Sequence, residues 1–231
     1  MKSSSVHDGT AVEIRDGAGA WPTGGMYVHR AGRYERLVKP VMDRVGASVL
    51  LVLALPVLAV VWVAVLVVLG RPVVLRQARV GRGGHVFDVY KFRTMHPDRR
   101  RQDRPVPVDR RLTHKHPEDP RLVPLGRFMR KWSLDELPQL LNVLRGEMSL
   151  VGPRPELVSV VNRHYAPWQH ARHQVKPGVT GLWQVTDRGT GEEMYKNTVT
   201  DLRYLQRITL LGDIKILLLT LPAALGLKKG F

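Results

Sequence analysis

An uninterrupted apolar segment of twenty-six residues, residues 45–70, constrains this chain more than any other feature. The segment holds no charged residue. As a straight helix it would extend roughly 39 Å, at about 1.5 Å per residue. The hydrocarbon core of a bilayer is about 30 Å thick, so the segment is long enough to cross it. The simplest prediction is a single transmembrane helix.

Two details of this segment favour a different course. Pro56 lies near its centre, where proline removes a backbone hydrogen bond and clashes with the preceding turn. Both flanks are basic, with Arg44 before the segment and Arg71 after it. The positive-inside bias therefore draws both ends to the cytoplasm. A helix–break–helix hairpin that enters one leaflet satisfies both details. From these residues alone, the full span and the re-entrant hairpin both stay open.

Charge and cysteine content narrow the classes of partner. The formal net charge is +16 and the pI is near 10.8, which indicates polyanionic partners such as nucleic acid, anionic lipid or phosphorylated substrates. The absence of cysteine excludes disulfides and thiolate metal sites, and the nine histidines show no HExxH spacing. Basic residues are concentrated in residues 99–131, which form either a solvated loop or a surface attracted to anionic headgroups.

The rest of the chain predicts an α/β, mainly helical, unit. Residues 1–36 are rich in Ser, Gly and charge and predict a flexible leader, with no secretory signal visible. Residues 73–79 and 86–92 are rich in β-formers around a Gly-rich turn, which predicts a β-hairpin. Helices are predicted over 125–131, 137–144 and 156–173. The apolar stretch 208–227 contains charges and predicts a helix on the membrane or packed within the protein.

An adjacent carboxylate pair, Asp135 and Glu136, is the strongest sign of chemistry. With Ser133 it reads as a capping box, in which Glu136 complements the start of a helix. The same pair also suits phosphate chemistry, because an Asp carboxylate can attack phosphorus and a neighbouring Glu can hold Mg²⁺. The two interpretations are compatible. Gly152-Pro-Arg154-Pro is either a structural loop or a preorganised bidentate phosphate clamp.

Four motifs then follow one another in order: FDVYKFRTM (87–95), SLDELPQ (133–139), MSLVGPRP (148–155) and KPGVTGLWQ (176–184). On these motifs the chain resembles the bacterial sugar transferase family, the monotopic phosphoglycosyl transferases that begin polyprenol-linked glycan assembly. The resemblance covers about residues 37–231 and is to the short form of the family. Lys39 and Asp43 match charged positions of the family's membrane helix, whereas Pro40 and Leu55 depart from it.

The resemblance implies a monotopic membrane protein on the cytoplasmic face of the bacterial inner membrane. Residues 37–72 would form a re-entrant helix broken at Pro56. Residues 73–231 would form a small cytoplasmic catalytic unit with interfacial amphipathic helices. The resemblance thus favours the hairpin over the full span.

The resemblance also implies a reaction, the transfer of a sugar-1-phosphate from a UDP-sugar to polyprenyl phosphate with release of UMP. Asp135 would carry the phosphosugar covalently, and Glu136 with Asp135 would bind Mg²⁺. The implied phosphate ligands are Arg130, Arg154, Arg188, Lys91 and Arg93. Implied partners are the UDP-sugar, polyprenyl phosphate and anionic membrane lipids, with no nucleic acid. The oligomeric state stays open, a homodimer included, and the sugar and glycan are not readable.

A different class of function stays open beside the transferase. A basic protein tethered to a membrane could bind nucleic acid or anionic lipid, or serve as a scaffold, without catalysis. The carboxylate pair and the Arg154 turn favour the enzyme, because a basic binding arm needs neither.

Overall fold

The structure, a computed structural model, describes residues 28–96, 121–186 and 198–224. The apolar segment forms helix α1, Lys39–Leu69, preceded by a π-helical turn at Tyr34–Val38. Pro56 lies inside α1, and the helical assignment continues through it without interruption. Within the described ranges, one helix is long and apolar enough to cross a membrane, and that helix contains α1. A break into two helices is not seen, and the re-entrant course stays a prediction.

The predicted hairpin is confirmed. Strands β1, Val74–Val80, and β2, Val86–Phe92, pair antiparallel in the register that puts Val80 opposite Val86. The turn between them uses Gly83 and Gly84 at positive φ, a conformation that glycine adopts without steric cost. After helix α2, Pro124–Lys131, and helix α3, Leu140–Leu144, comes strand β3, Ser149–Val151.

The second half of the chain completes two small sheets. Strand β4, Glu156–Leu157, adds to β1, so the first sheet has the order β2-β1-β4. Helix α4, Val158–His164, is followed by a 3₁₀ segment, Pro167–Gln174, and by strand β5, Gly178–Thr180, which pairs parallel with β3. The remaining elements are helices α5, Leu182–Thr186, α6, Thr198–Gln206, and α7, Leu210–Ala224.

Two predicted helices differ from the structure. Residues 156–173 are not one helix, because β4 precedes α4 and the helix ends before Pro167, where the 3₁₀ segment begins. The predicted helix over 137–144 starts as a 3₁₀ segment, Leu134–Gln139, and becomes α-helical only at Leu140. Pro138 explains this delay, since it lacks the N–H that an α-helical turn needs.

Helix α1 is joined to the folded unit near both of its ends. Near its start, buried Lys39 contacts Asp213 at 2.5 Å, and Asp43 accepts hydrogen bonds from Ser149 Oγ at 2.7 Å and from the backbone N–H of Leu150. Near its end, Val61 and Val65 pack in a cluster that includes Phe92 and Met129. Both ends therefore pack against the same body.

The predicted leader falls mostly outside the described residues. Its last part is nevertheless attached to the folded unit: the backbone N–H of His29 donates to Gln174, and the Tyr34 hydroxyl donates to Asp213 at 2.8 Å. The folded unit therefore begins before residue 37.

Candidate active site

A short 3₁₀ segment presents the carboxylate pair. Asp135 and Glu136 lie in its first turn and are 5% and 7% exposed. Ser133 precedes them in the left-handed conformation, with φ of 54°, and its side chain makes no capping hydrogen bond. The capping box is therefore not formed. The carboxylate of Glu136 turns into the protein instead.

Lys91 and Arg154 hold Glu136. Its Oε1 lies 2.8 Å from Arg154 Nη2 and 3.1 Å from Lys91 Nζ, and its Oε2 accepts a longer bond of 3.4 Å from Arg154 Nη1. The Arg154 contact is bidentate, the geometry in which a guanidinium matches a carboxylate best. Lys91 comes from β2 and Arg154 from the turn after β3, so the site forms only when hairpin and turn meet the 3₁₀ segment.

Burial and charge shift the pKa values of both cations. Burial lowers the pKa of Lys91, and the attraction of Glu136 opposes this effect while Arg154 adds to it. Burial also acts to lower the pKa of Arg154, but the charge and hydrogen bonds of Glu136 outweigh it, and the pKa is raised. The site therefore keeps a firmly charged arginine beside a lysine whose proton is held less tightly.

Two further buried arginines fix the turn that carries Arg154. Arg172 donates to the backbone oxygen of Arg154 at 2.7 Å, and Arg79 donates to that of Pro155 at 3.1 Å. Arg172 is itself paired with Asp201 at 2.6 Å. Buried arginines rarely lack a carboxylate partner, which fixes their own position. From there, Arg172 and Arg79 hold the turn in one place through their bonds to its backbone. The sequence prediction missed both, since a lone arginine in a strand or a 3₁₀ segment carries no motif signal.

The other predicted phosphate ligands have different outcomes. Arg130 lies on α2, and its Nε donates to Thr94 Oγ1 at 3.1 Å. Arg93 donates to the backbone oxygens of Met95 and Arg71, both at 3.1 Å, and these bonds direct it to the end of the hairpin. Arg188 lies outside the described residues. Lys91 and Arg154 contact the carboxylate of Glu136, and the phosphate roles of all five residues stay predictions.

The donor set fits a magnesium ion. Mg²⁺ is usually bound by one or two carboxylates, with waters and substrate phosphates completing the shell, and Asp135 and Glu136 supply two adjacent carboxylates. A cage of three or more His, Cys, Asp or Glu side chains is absent from the part of the chain that the structure describes. Such a site would therefore depend on phosphate oxygens from the substrate.

A large apolar cavity opens beside the pair. Its volume is about 690 Å³, within the range of roughly 300–1,000 Å³ that is usual for small-molecule sites. Trp132, Ser133 and Glu136 line one part of it. Leucines from α1 and α7 line much of the rest, together with residues of α3, β3, β5 and α5. Among these, Leu53 and Leu218 are 71% and 60% exposed, so the cavity continues onto an apolar outer surface.

The structure thus places a buried carboxylate pair and its cations beside an apolar cavity and a long apolar helix. The chain belongs to the bacterial sugar transferase family, whose model matches residues 34–226. Residues 34–226 contain the carboxylate pair, Lys91 and Arg154, so the resemblance predicted from the four motifs is confirmed.

Several relatives are similar over most of this chain. It is 40% identical to the UDP-glucose:undecaprenyl-phosphate glucose-1-phosphate transferase of Caulobacter vibrioides, over 82% of this chain and 70% of that protein. It is 42% identical to the galactosyl transferase CpsE of Streptococcus agalactiae, over 68% and 35%. It is 39% identical to the undecaprenyl-phosphate galactose phosphotransferase of Salmonella typhimurium, over 84% and 42%. The chain thus spans less than half the length of two of these three relatives.

Proposed function

We propose that this chain transfers a sugar-1-phosphate from a UDP-sugar to a polyprenyl phosphate such as undecaprenyl phosphate, and releases UMP. The observation that carries the proposal is the buried Asp135–Glu136 pair, held by Lys91 and Arg154, in a chain of the sugar transferase family. The names of the glucose and galactose transferases from Caulobacter and Salmonella support the substrate classes. The reaction would be a first membrane step in polysaccharide or glycoconjugate synthesis.

The proposed chemistry proceeds in two displacements. A carboxylate oxygen of Asp135 attacks the β-phosphorus of the UDP-sugar, and the bond from that phosphorus to the bridging oxygen breaks. UMP leaves with that oxygen, and the sugar phosphate stays on Asp135 as an acyl phosphate. A phosphate oxygen of the polyprenyl phosphate then attacks the same phosphorus. The Asp135 carboxylate is released, and the product is a polyprenyl-diphosphate sugar.

The residues around Asp135 favour this chemistry electrostatically. Arg154 is fixed by its bidentate contact with Glu136 and by the Arg172 bond to its backbone, so it needs little reorganisation to meet phosphate charge. Lys91 adds a second cation. Burial of the pair excludes water, which would otherwise hydrolyse the acyl phosphate. A magnesium ion held by Asp135 and Glu136 would supply further neutralisation of phosphate charge.

The lipid acceptor accounts for the apolar cavity. The polar part of the cavity lies at Glu136 and Ser133, while the cavity walls on α1 and α7 continue onto exposed leucines. A prenyl chain in the bilayer could therefore reach the site without leaving an apolar surface. The attachment of both ends of α1 to one body supports a re-entrant, monotopic placement at the cytoplasmic face of the inner membrane. A C-terminal reporter active only outside the cell would contradict it.

The test is UMP release by the purified full chain given Mg²⁺, undecaprenyl phosphate and a panel of UDP-sugars. We expect release with one sugar, loss of release on addition of EDTA, and none with Asp135→Asn. Asp88→Asn is the matched control, because Asp88 is exposed on β2 and lies outside the site. Mass spectrometry should find a phosphosugar on Asp135 before acceptor is added. Undiminished turnover by Asp135→Asn would overturn the proposal.

A further inference from the structure

A second group of basic residues surrounds a smaller cavity at the start of α1. This cavity has a volume of about 230 Å³, and its lining includes Arg82, from the turn after β1, and Lys176, from the segment before β5. Arg44 stands beside it. A Cβ built on Gly146 would lie 3.3 Å from Arg44 Nη2 and 3.6 Å from Lys176 Nζ, so the two cations converge on one glycine.

The acidic residues that line this cavity already have partners. Asp43 accepts hydrogen bonds from Ser149 Oγ and from the backbone of Leu150, and Glu35 contacts His29 at 2.6 Å. Lys39, which also lines the cavity, is paired with Asp213.

Arg36, which also lines the cavity, donates to the backbone oxygen of Ala31. Three further cations lie at the cavity or beside it. Across residues 28–96, 121–186 and 198–224, no salt bridge joins Arg44, Arg82 or Lys176 to a carboxylate. Three cations without a salt-bridge partner among the described residues therefore stand at a cavity that Asp43 and Glu35 also line.

These cations act on one another. Burial lowers the pKa of Lys176, and Arg44 and Arg82 lower it further against the attraction of Asp43. The main charges that act on Lys91 include Glu136 and Asp135, whereas those that act on Lys176 are Arg44, Asp43, Arg82 and Lys39. A bound anion would relieve the mutual repulsion of these cations.

The same end of α1 begins the apolar outer surface. Val41 and Val45 are 60% and 58% exposed and flank Arg44 on the helix. A phospholipid matches this combination of positive charge and apolar surface, because it carries an anionic phosphate close to where its acyl chains begin. We propose that Arg44, Arg82 and Lys176 bind the phosphate of an anionic glycerophospholipid, whose acyl chains lie against the exposed face of α1 at Val41 and Val45. This site needs only contact of α1 with a membrane and does not depend on the transferase reaction.

The test measures lipid binding to the full chain in a neutral detergent by native mass spectrometry. The probe is short-chain phosphatidylglycerol, with short-chain phosphatidylcholine and inorganic phosphate as comparisons. The variant Arg82→Gln/Lys176→Gln removes two cations and should weaken phosphatidylglycerol binding about 25-fold, at about fivefold for each basic residue near an anionic headgroup. Arg163→Gln/Arg203→Gln, at exposed positions on α4 and α6, makes the same change in net charge and should bind as the unchanged protein does.

Each other outcome has a definite meaning. Equal binding of phosphatidylglycerol by the Arg82/Lys176 variant and the unchanged protein would overturn the proposal. So would inorganic phosphate binding as tightly as the lipid, since the site would then hold a free anion. Binding of farnesyl phosphate without binding of phosphatidylglycerol would also overturn the proposal, and it would assign the site to the prenyl acceptor. Arg82→Gln alone, at an exposed residue, tests the proposal should the double variant fail to fold. UMP release measured in parallel should be retained, which separates failure of this site from failure of the proposed function.

Discussion

Replacing Glu136 with Gln tests whether its charge compensates the two buried cations. The shape is preserved, but Arg154 at 2.8 Å and Lys91 at 3.1 Å then face a neutral amide. Breaking a buried ion pair costs about 3–5 kcal/mol, and we expect the low end, about 3 kcal/mol, because the amide oxygen still accepts one hydrogen bond. For a chain of this size that lowers the melting temperature by roughly 6–12 °C.

The assay is thermal unfolding in neutral detergent, followed by circular dichroism. Glu147→Gln is the control, because Glu147 accepts a hydrogen bond of 2.7 Å from the neutral amide of Asn142, and the melting temperature of this variant should change little. Adding Lys91→Met to Glu136→Gln should recover part of the loss, since it removes one uncompensated cation. A Glu136→Gln protein that melts within about 2 °C of the unchanged protein would refute the reasoning.

The pH dependence of the same variant gives an independent check. Burial lowers the pKa of Lys91, and the charge of Glu136 is the strongest influence in the opposite direction. Neutralising Glu136 therefore lowers the pKa of Lys91 further. The unfolded lysine, near 10.5, then binds more protons than the folded one, and stability rises with pH in that window. The deficit of Glu136→Gln should therefore shrink as the pH rises toward 10.5. A deficit that grows with pH would contradict this assignment.

Two further predictions concern stability. Burial, Arg172 and His170 hold the pKa of His173 well below 6.5, so the unfolded state takes up a proton first and stability falls as the pH drops below 6.5. His173→Phe, which can keep the stacking on Tyr165, should remove about 1.4 kcal/mol of that loss per pH unit, measured by denaturant unfolding; an unchanged slope would contradict it. Gly178→Ala should prevent folded expression, because its Cβ would lie 2.1 Å from the backbone N of Gly152. Gly32→Ala, with nothing within 4 Å, should express normally, and equal yields of the two would refute this.

Local sequence was enough to predict the pieces of the site. The carboxylate pair, the Gly-Pro-Arg-Pro turn and the hairpin are each written in one short continuous stretch, and the structure confirms the hairpin. The 3₁₀ course of residues 134–139 was not predicted, because Ser133 and Glu136 also satisfy the pattern of a capping box. The difference depends on where the Glu136 carboxylate finds its partners, and those are distant in sequence.

The basic residues show most clearly where local prediction ends. Lys91 and Arg93 are two positions apart in one motif, yet only Lys91 reaches Glu136. The strand ends at Phe92, so the strict alternation of sides no longer governs Arg93, which turns to the backbone oxygens of Met95 and Arg71. The arginines that fix the Arg154 turn, Arg79 and Arg172, belong to no motif.

The sequence by itself determined the apolar helix, the carboxylate pair and the family, because each depends on residue type over a short and continuous stretch. Tertiary structure alone decided which cations meet Glu136, what holds Arg154 in place and where α1 attaches to the folded unit. Lys91 and Glu136 are separated by 45 positions, and Lys39 and Asp213 by 174. Contacts over such separations follow from the packing of strands and helices, which no local pattern of residues specifies.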